Sequence, residues 1–168
     1  MNRTPWIMAW VMMVWAAGPG SRPSAAAQAV AGMRAGVSAL VPGGTPGWTG
    51  GLRGGIRMDW GFELAASLER SQYGNDIKYL GPAGEALYYF PIGQQKHLGL
   101  GVTGGIGQFG SHETAGRTSW SFGALARMSV LQISPQVQLG WDLIGQLKRP
   151  GDRALGALSP GAWIQAQL

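Results

Sequence analysis

The chain has 168 residues, with 13 lysines and arginines against 8 acids, 29 glycines and no cysteine. That length suits one domain, and without cysteine there is neither a disulfide framework nor a lipid-modified cysteine. Only 12% of residues are charged, about half the ~25% of a soluble globular domain, and no dense basic cluster marks a nucleic-acid partner.

The N-terminus reads as an export signal. Arg3 precedes an apolar run, "PWIMAWVMMVWAAG" from Pro5 to Gly18, and small residues lead to Ala27-Gln28-Ala29. These are a charged n-region, an h-region and an A-x-A site, and the run falls short of the roughly 20 residues that span a bilayer as helix. The expected division is a signal peptide over 1–29 and a mature domain over 30–168. The mature domain has 139 residues (168 − 29) and charge +3 (11 − 8), because Arg3 and Arg22 leave with the signal.

Beyond the signal, no apolar run approaches helix-spanning length. Eight segments of about ten residues alternate with turn signals: 31–41, 49–58, 62–73, 85–90, 96–109, 118–130, 136–147 and 159–168. In the third, Phe62, Leu64, Ala66 and Leu68 alternate with Glu63, Ala65, Ser67 and Glu69. In the sixth, Trp120, Phe122, Ala124, Ala126 and Met128 alternate with Ser119, Ser121, Gly123, Leu125 and Arg127. In the seventh, Leu139, Trp141 and Leu143 oppose Gln138, Gly140 and Asp142. The fourth, "EALYYF", carries aromatics on both faces. Connections at 59–61, 91–95 and 131–135 look short, and those at 42–48, 74–84, 110–117 and 148–158 look longer. Period-two segments with loops of alternating length imply an all-β, eight-stranded, antiparallel up-and-down barrel.

The fifth segment, "HLGLGVTGGIGQFG", has glycines at dinucleotide-fingerprint spacing. No helix start follows Gly104 and no acid lies about 20 residues on, so it reads as barrel wall. Leu98, Leu100, Val102 and Ile106 face outward; Gly99, Gly101, Gly105 and Gly107 face inward and leave room for arginines reaching across. The non-apolar face of most segments is Gly, Ser, Gln and Ala with few charges, which suits a filled lumen and a lipid-facing exterior rather than a water-facing one.

On this pattern the mature chain resembles the small eight-stranded bacterial outer-membrane barrels, the outer-membrane protein A and X barrel domains. The resemblance implies a monomer in the outer membrane of a Gram-negative cell, in contact with lipid and lipopolysaccharide. It also implies a last strand read by the outer-membrane insertion machinery. Here that strand ends "GAWIQAQL", alternating as the family requires but closing on Leu168 instead of an aromatic.

A tight turn at Asp59-Trp60-Gly61 sets Arg57 opposite Glu63 and Arg53 diagonal to Glu69. With Arg127 and Asp142 on neighbouring strands, the expected lumenal charge network is Arg53, Arg57, Glu63, Glu69, Arg127 and Asp142, joined by Arg34. Trp48, Trp60, Phe62, Phe109, Trp120 and Trp163 sit near segment ends and suit an interfacial girdle. Arg70, Lys148, Arg149 and Arg153 are candidate lipopolysaccharide contacts, and Lys78 has the same character. Ser111, His112 and Glu113 are adjacent and do not form a relay from separated positions. No catalytic, metal or cofactor residue is assigned. The expected function is a structural or interaction scaffold with a largely plugged lumen and four surface loops. The alternatives are a lipid A-modifying enzyme and a soluble, lipocalin-like exported barrel holding a hydrophobic ligand.

Overall fold

The computed structural model describes residues 27–42, 44–92, 96–110, 116–150 and 154–168. Eight strands run in chain order: β1 (Ala27–Val41), β2 (Thr45–Met58), β3 (Phe62–Tyr73), β4 (Ile77–Pro91), β5 (His97–Gly110), β6 (Arg117–Ser134), β7 (Val137–Pro150) and β8 (Leu155–Gln167). Each pairs antiparallel with the next, and β1 pairs with β8, closing the barrel. Closure leaves no exposed sheet edge, the condition for strands to cross lipid.

The strands are longer than the local pattern suggests. "KYLGPAG" reads as loop, yet it lies in β4, and only residues 74–76 connect β3 to β4. Pro82 pairs with Leu68 on β3. Toward β5 the pairing stops after Leu80↔Gln108 and resumes at Ala83↔Gly105, as expected where proline supplies no donor. Likewise 131–134 belong to β6, through two register shifts, and the β6–β7 turn is only 135–136. The predicted contrast of loop lengths largely disappears: connections at one end span 42–44, 74–76, 111–116 and 151–154, and at the other 59–61, 92–96 and 135–136. The expected signal cut after Ala29 falls inside β1, and residues 1–26 lie outside the described chain.

The β2–β3 hairpin has the predicted register, with Arg57↔Glu63 and Ile56↔Leu64. Its turn needs Gly61, whose φ is +93°, a conformation costly for residues with a Cβ.

The barrel is polar inside and apolar outside. Leu52, Leu64, Leu68, Leu100, Val102, Phe122, Leu143 and Ile164 are exposed on the outer face, whereas Glu63, Glu69, Glu85, Arg127, Asp142 and Lys148 are buried within. A lipocalin-like barrel inverts this arrangement, so the soluble alternative is set aside: its ligand cavity would be apolar, and these exposed leucines would meet water. Trp48, Trp60, Phe62 and Trp120 do lie on the outer face, where Trp60 stacks on Phe62 at 5.1 Å between ring centroids. Phe109 and Trp163 do not. Trp163 is buried inside and its Nε1 donates to the Trp141 carbonyl at 3.1 Å. Phe109 packs on a lumenal cluster of Leu40, Tyr73 and Ala157. Both fall on the inward parity of their strands, which outweighs nearness to a strand end.

Candidate functional site

The interior is where this chain concentrates its charge. Six inward side chains from six different strands, together with Arg57, form a single line of alternating sign. Arg34 on β1 donates to Asp142 on β7 at 3.1 Å, and Asp142 also accepts from Arg127 on β6 at 3.2 Å. Arg127 lies 3.6 Å from Glu85 on β4, and Glu85 lies 3.1 Å from Arg53 on β2. Arg53 reaches Glu63 on β3, which accepts from Arg57 Nε at 2.8 Å. Gln165 on β8 braces the Arg53–Glu63 link near the Arg57 end, accepting from Arg53 and donating to Glu63 at 3.3 Å.

A second cluster fills the barrel toward the 111–116 and 151–154 connections. Lys148 donates to Glu69 at 2.8 Å, Ser71 donates to the same oxygen at 2.8 Å, and Gln146 donates to the other oxygen at 3.3 Å. The Lys148 ammonium also sits 3.7 Å from the Tyr79 ring centroid, a cation–π contact strengthened by burial. Each carboxylate here has a cationic partner, the condition for charge to persist away from water.

Arg34, Arg53, Arg57, Glu63, Glu69, Arg127 and Asp142 all face inward; Arg57 is bonded to Glu63 and Arg127 to Asp142, but Arg53 and Glu69 do not meet. Arg53 pairs with Glu63 and Glu85, and Glu69 pairs with Lys148. Lys148 is therefore no surface contact: its side chain is fully buried. Sequence reasoning placed it in a loop because β7 was expected to stop at 147. Glu85 was missed in the ambiguous fourth segment, although its parity with the inward Leu87 and Tyr89 was an available signal. Arg70, Lys78 and Arg149 lie exposed at the end of the barrel opposite the start of β1 and the end of β8, with Arg70 5.6 Å from the Trp48 ring centroid. Arg153, and the Ser111–His112–Glu113 run, lie outside the described residues.

Gly99, Gly101, Gly105 and Gly107 of β5 face inward but do not make room for arginines. A Cβ at Gly99 would meet the Tyr89 ring at 2.8 Å, and one at Gly107 the Tyr79 ring at 2.6 Å. At Gly101 and Gly105 it would strike the carbonyl oxygens of Ala86 and Pro82. Tight curvature brings the adjacent β4 backbone and its tyrosines into the space. The glycine that accommodates an arginine is Gly161, where a Cβ would lie 3.0 Å from Arg34 Nη2.

Because Arg57 and Glu63 are directly paired, alanine at either position should be non-additive. In a double-mutant cycle read by urea unfolding in micelles, the expected coupling is about 1–3 kcal/mol. A coupling near zero would show that the pair is hydrated rather than bonded.

No protein-family model and no curated protein matches the chain. Solved structures do. Neisserial surface protein A matches with TM-score 0.67 and 16% identity over 84% of this chain and 99% of that one. The N-terminal β-barrel domain of Pseudomonas aeruginosa OprF matches with TM-score 0.48 and 13% identity, over 83% and 98%. The Yersinia pestis outer membrane protein Ail matches with TM-score 0.47 and 16% identity, over 83% and 99%. The first of these likenesses, with the closed ring of eight strands and the apolar exterior, establishes that the chain has the fold of a small eight-stranded transmembrane outer-membrane β-barrel.

Proposed function

We propose that the chain is a monomeric, non-enzymatic barrel of the outer membrane. It is exported through its N-terminal signal, inserted by machinery that reads β8, and serves as a membrane-embedded scaffold with a plugged lumen. The carrying observation is the line of bonded charges that spans the interior from Arg34 to Arg57. Eight strands enclose a space just wide enough for side chains, and here those side chains are tied to each other across it. The test is conductance in planar bilayers. The folded protein should give no sustained channel, and a stable ohmic conductance would overturn the plug. Recovery in outer-membrane fractions with heat-modifiable gel mobility tests location and fold together; recovery in the soluble periplasm would refute the membrane assignment.

The outer aromatics Trp48, Trp60, Phe62 and Trp120 are read as interfacial anchors, and Tyr88 and Phe90 belong with them. Tyr88 and Phe90 pack edge to face at 4.8 Å beside Trp60. The exposed Arg70 and Arg149 suit lipopolysaccharide phosphates. Each cation near an anionic membrane surface contributes about 1 kcal/mol, so the Arg70→Gln/Arg149→Gln double variant should bind lipopolysaccharide about 30-fold less tightly at low salt. Unchanged binding in a quantitative co-purification would remove these two residues from the contact.

A further inference from the structure

Among the described residues, the lumen holds one more cation than anion. Arg34, Arg53, Arg57, Arg127 and Lys148 are paired with Glu63, Glu69, Glu85 and Asp142. Lys148 and Glu69 neutralise each other. The other seven alternate in sign, and an arginine stands at both ends of the line. Each terminal arginine has a buried nitrogen without a hydrogen-bond partner, Nε of Arg34 and Nη2 of Arg57.

What lies beyond the two ends differs. Arg34 borders a void of about 10 Å³, room for one water at most. Arg57 borders a vestibule of about 450 Å³ at the barrel mouth, lined by the 59–61 turn together with Tyr89, Pro91, His97 and Gln138. Two further unpartnered polar atoms belong to residues of the same wall, the Tyr89 hydroxyl and His97 Nδ1. Tyr89 is 6% exposed, and its ring lies 4.1 Å from the Arg57 guanidinium carbon. Buried polar groups in native proteins are nearly always satisfied. Three orphans on one wall, beside a surplus positive charge, are a donor set without its acceptor. The acid among the lining residues, Asp59, is exposed on the turn.

We propose that this vestibule binds a small oxyanion, a phosphate or carboxylate group. The three atoms are shielded just behind the vestibule surface, so the anion seats as the Arg57 side chain rotates toward it; it then accepts hydrogen bonds from Arg57 Nη2, the Tyr89 hydroxyl and the His97 ring, and it neutralises the surplus cation of the lumen. Binding selects the His97 tautomer that carries its proton on Nδ1. The cavity is larger than the anion alone, so the group can arrive free or attached to a lipid headgroup at the same mouth.

The test uses the purified protein folded in uncharged micelles, titrated with inorganic phosphate or acetate at constant ionic strength in chloride. The Tyr89 and His97 ring resonances should shift and saturate. Arg57→Gln should weaken the response by about tenfold or more, the cost of one charge-assisted hydrogen bond. Tyr89→Phe should weaken it severalfold without altering charge, and it carries the test if Arg57→Gln does not fold. Arg34→Gln removes the same charge at the closed end and should leave the affinity within a factor of about two. Bicelles with phosphatidylglycerol in place of phosphatidylcholine separate the sources. Shifts that appear with the anionic lipid and are competed by phosphate identify a headgroup, and shifts with free anion alone identify a soluble ligand. A linear response equal to that of chloride, or saturation unaffected by both Arg57→Gln and Tyr89→Phe, would overturn the proposal.

Discussion

Replacing Asp142 by alanine should lower the unfolding free energy of the barrel by about 3–5 kcal/mol, the range for breaking a buried ion pair by removing one partner. Asp142 is fully shielded and accepts from both Arg34 and Arg127. Alanine would leave two guanidiniums facing a space with one fewer anion. Arg127 has the more to lose, since its remaining carboxylate contact, Glu85, is at 3.6 Å and its Nε and Nη1 already lack hydrogen-bond partners. Urea unfolding in phospholipid vesicles, followed by tryptophan fluorescence, would measure the loss. Adding Arg127→Leu to the alanine variant should recover part of it, because removing both partners costs less than orphaning one. A loss below about 1 kcal/mol would mean that water enters and solvates the arginines.

A charge on the outside should be almost as disruptive, but only at one depth. Leu143 lies midway along β7, on the outer face, opposite Ala126 and Pro160. Leu143→Arg should cost about 2–4 kcal/mol in a bilayer, whereas Leu131→Arg, near the β6–β7 turn, should cost about 0–1 kcal/mol. The same vesicle unfolding measures both. Equal costs at the two sites would show that the apolar belt is not centred where the strands place it. Ile144, one residue along, is buried inside, so a one-residue error in face assignment would be immediately visible.

Much of this was legible in the sequence, for a physical reason. Period-two alternation fixes parity, and parity fixes the face, so the inward Glu63, Asp142 and Arg127 and the outward Leu64, Leu143 and Phe122 could be assigned strand by strand. The β2–β3 register followed from one three-residue turn. Two kinds of information were not local. Proline and glycine in "GPAG" signal a loop, yet pairing with β3 holds Pro82 in a strand, while Glu85, first residue of the expected segment, was hidden by aromatics on both of its faces. The partner of Glu69 is 79 residues away on the far side of the ring, a contact that exists only once the barrel has closed. Neighbouring-strand reasoning reached Arg57–Glu63 and Arg127–Asp142 but not Lys148–Glu69. The outward aromatics were readable by parity too, and Trp163 and Phe109 were misplaced because nearness to a strand end was given more weight.

The contact between Arg34 and Asp142 joins β1 to β7 across β8. The last hairpin must therefore reach the first strand before Asp142 has both of its arginines. Until then the inner wall of the growing sheet is a charged surface that needs water, while its outer wall already favours lipid. Shutting the β1–β8 seam removes that water and completes the line of charges in the same event. An unclosed sheet in the bilayer would expose ionised groups to hydrocarbon, a state far higher in energy, so the lumenal charges penalise half-built barrels that an apolar interior would tolerate.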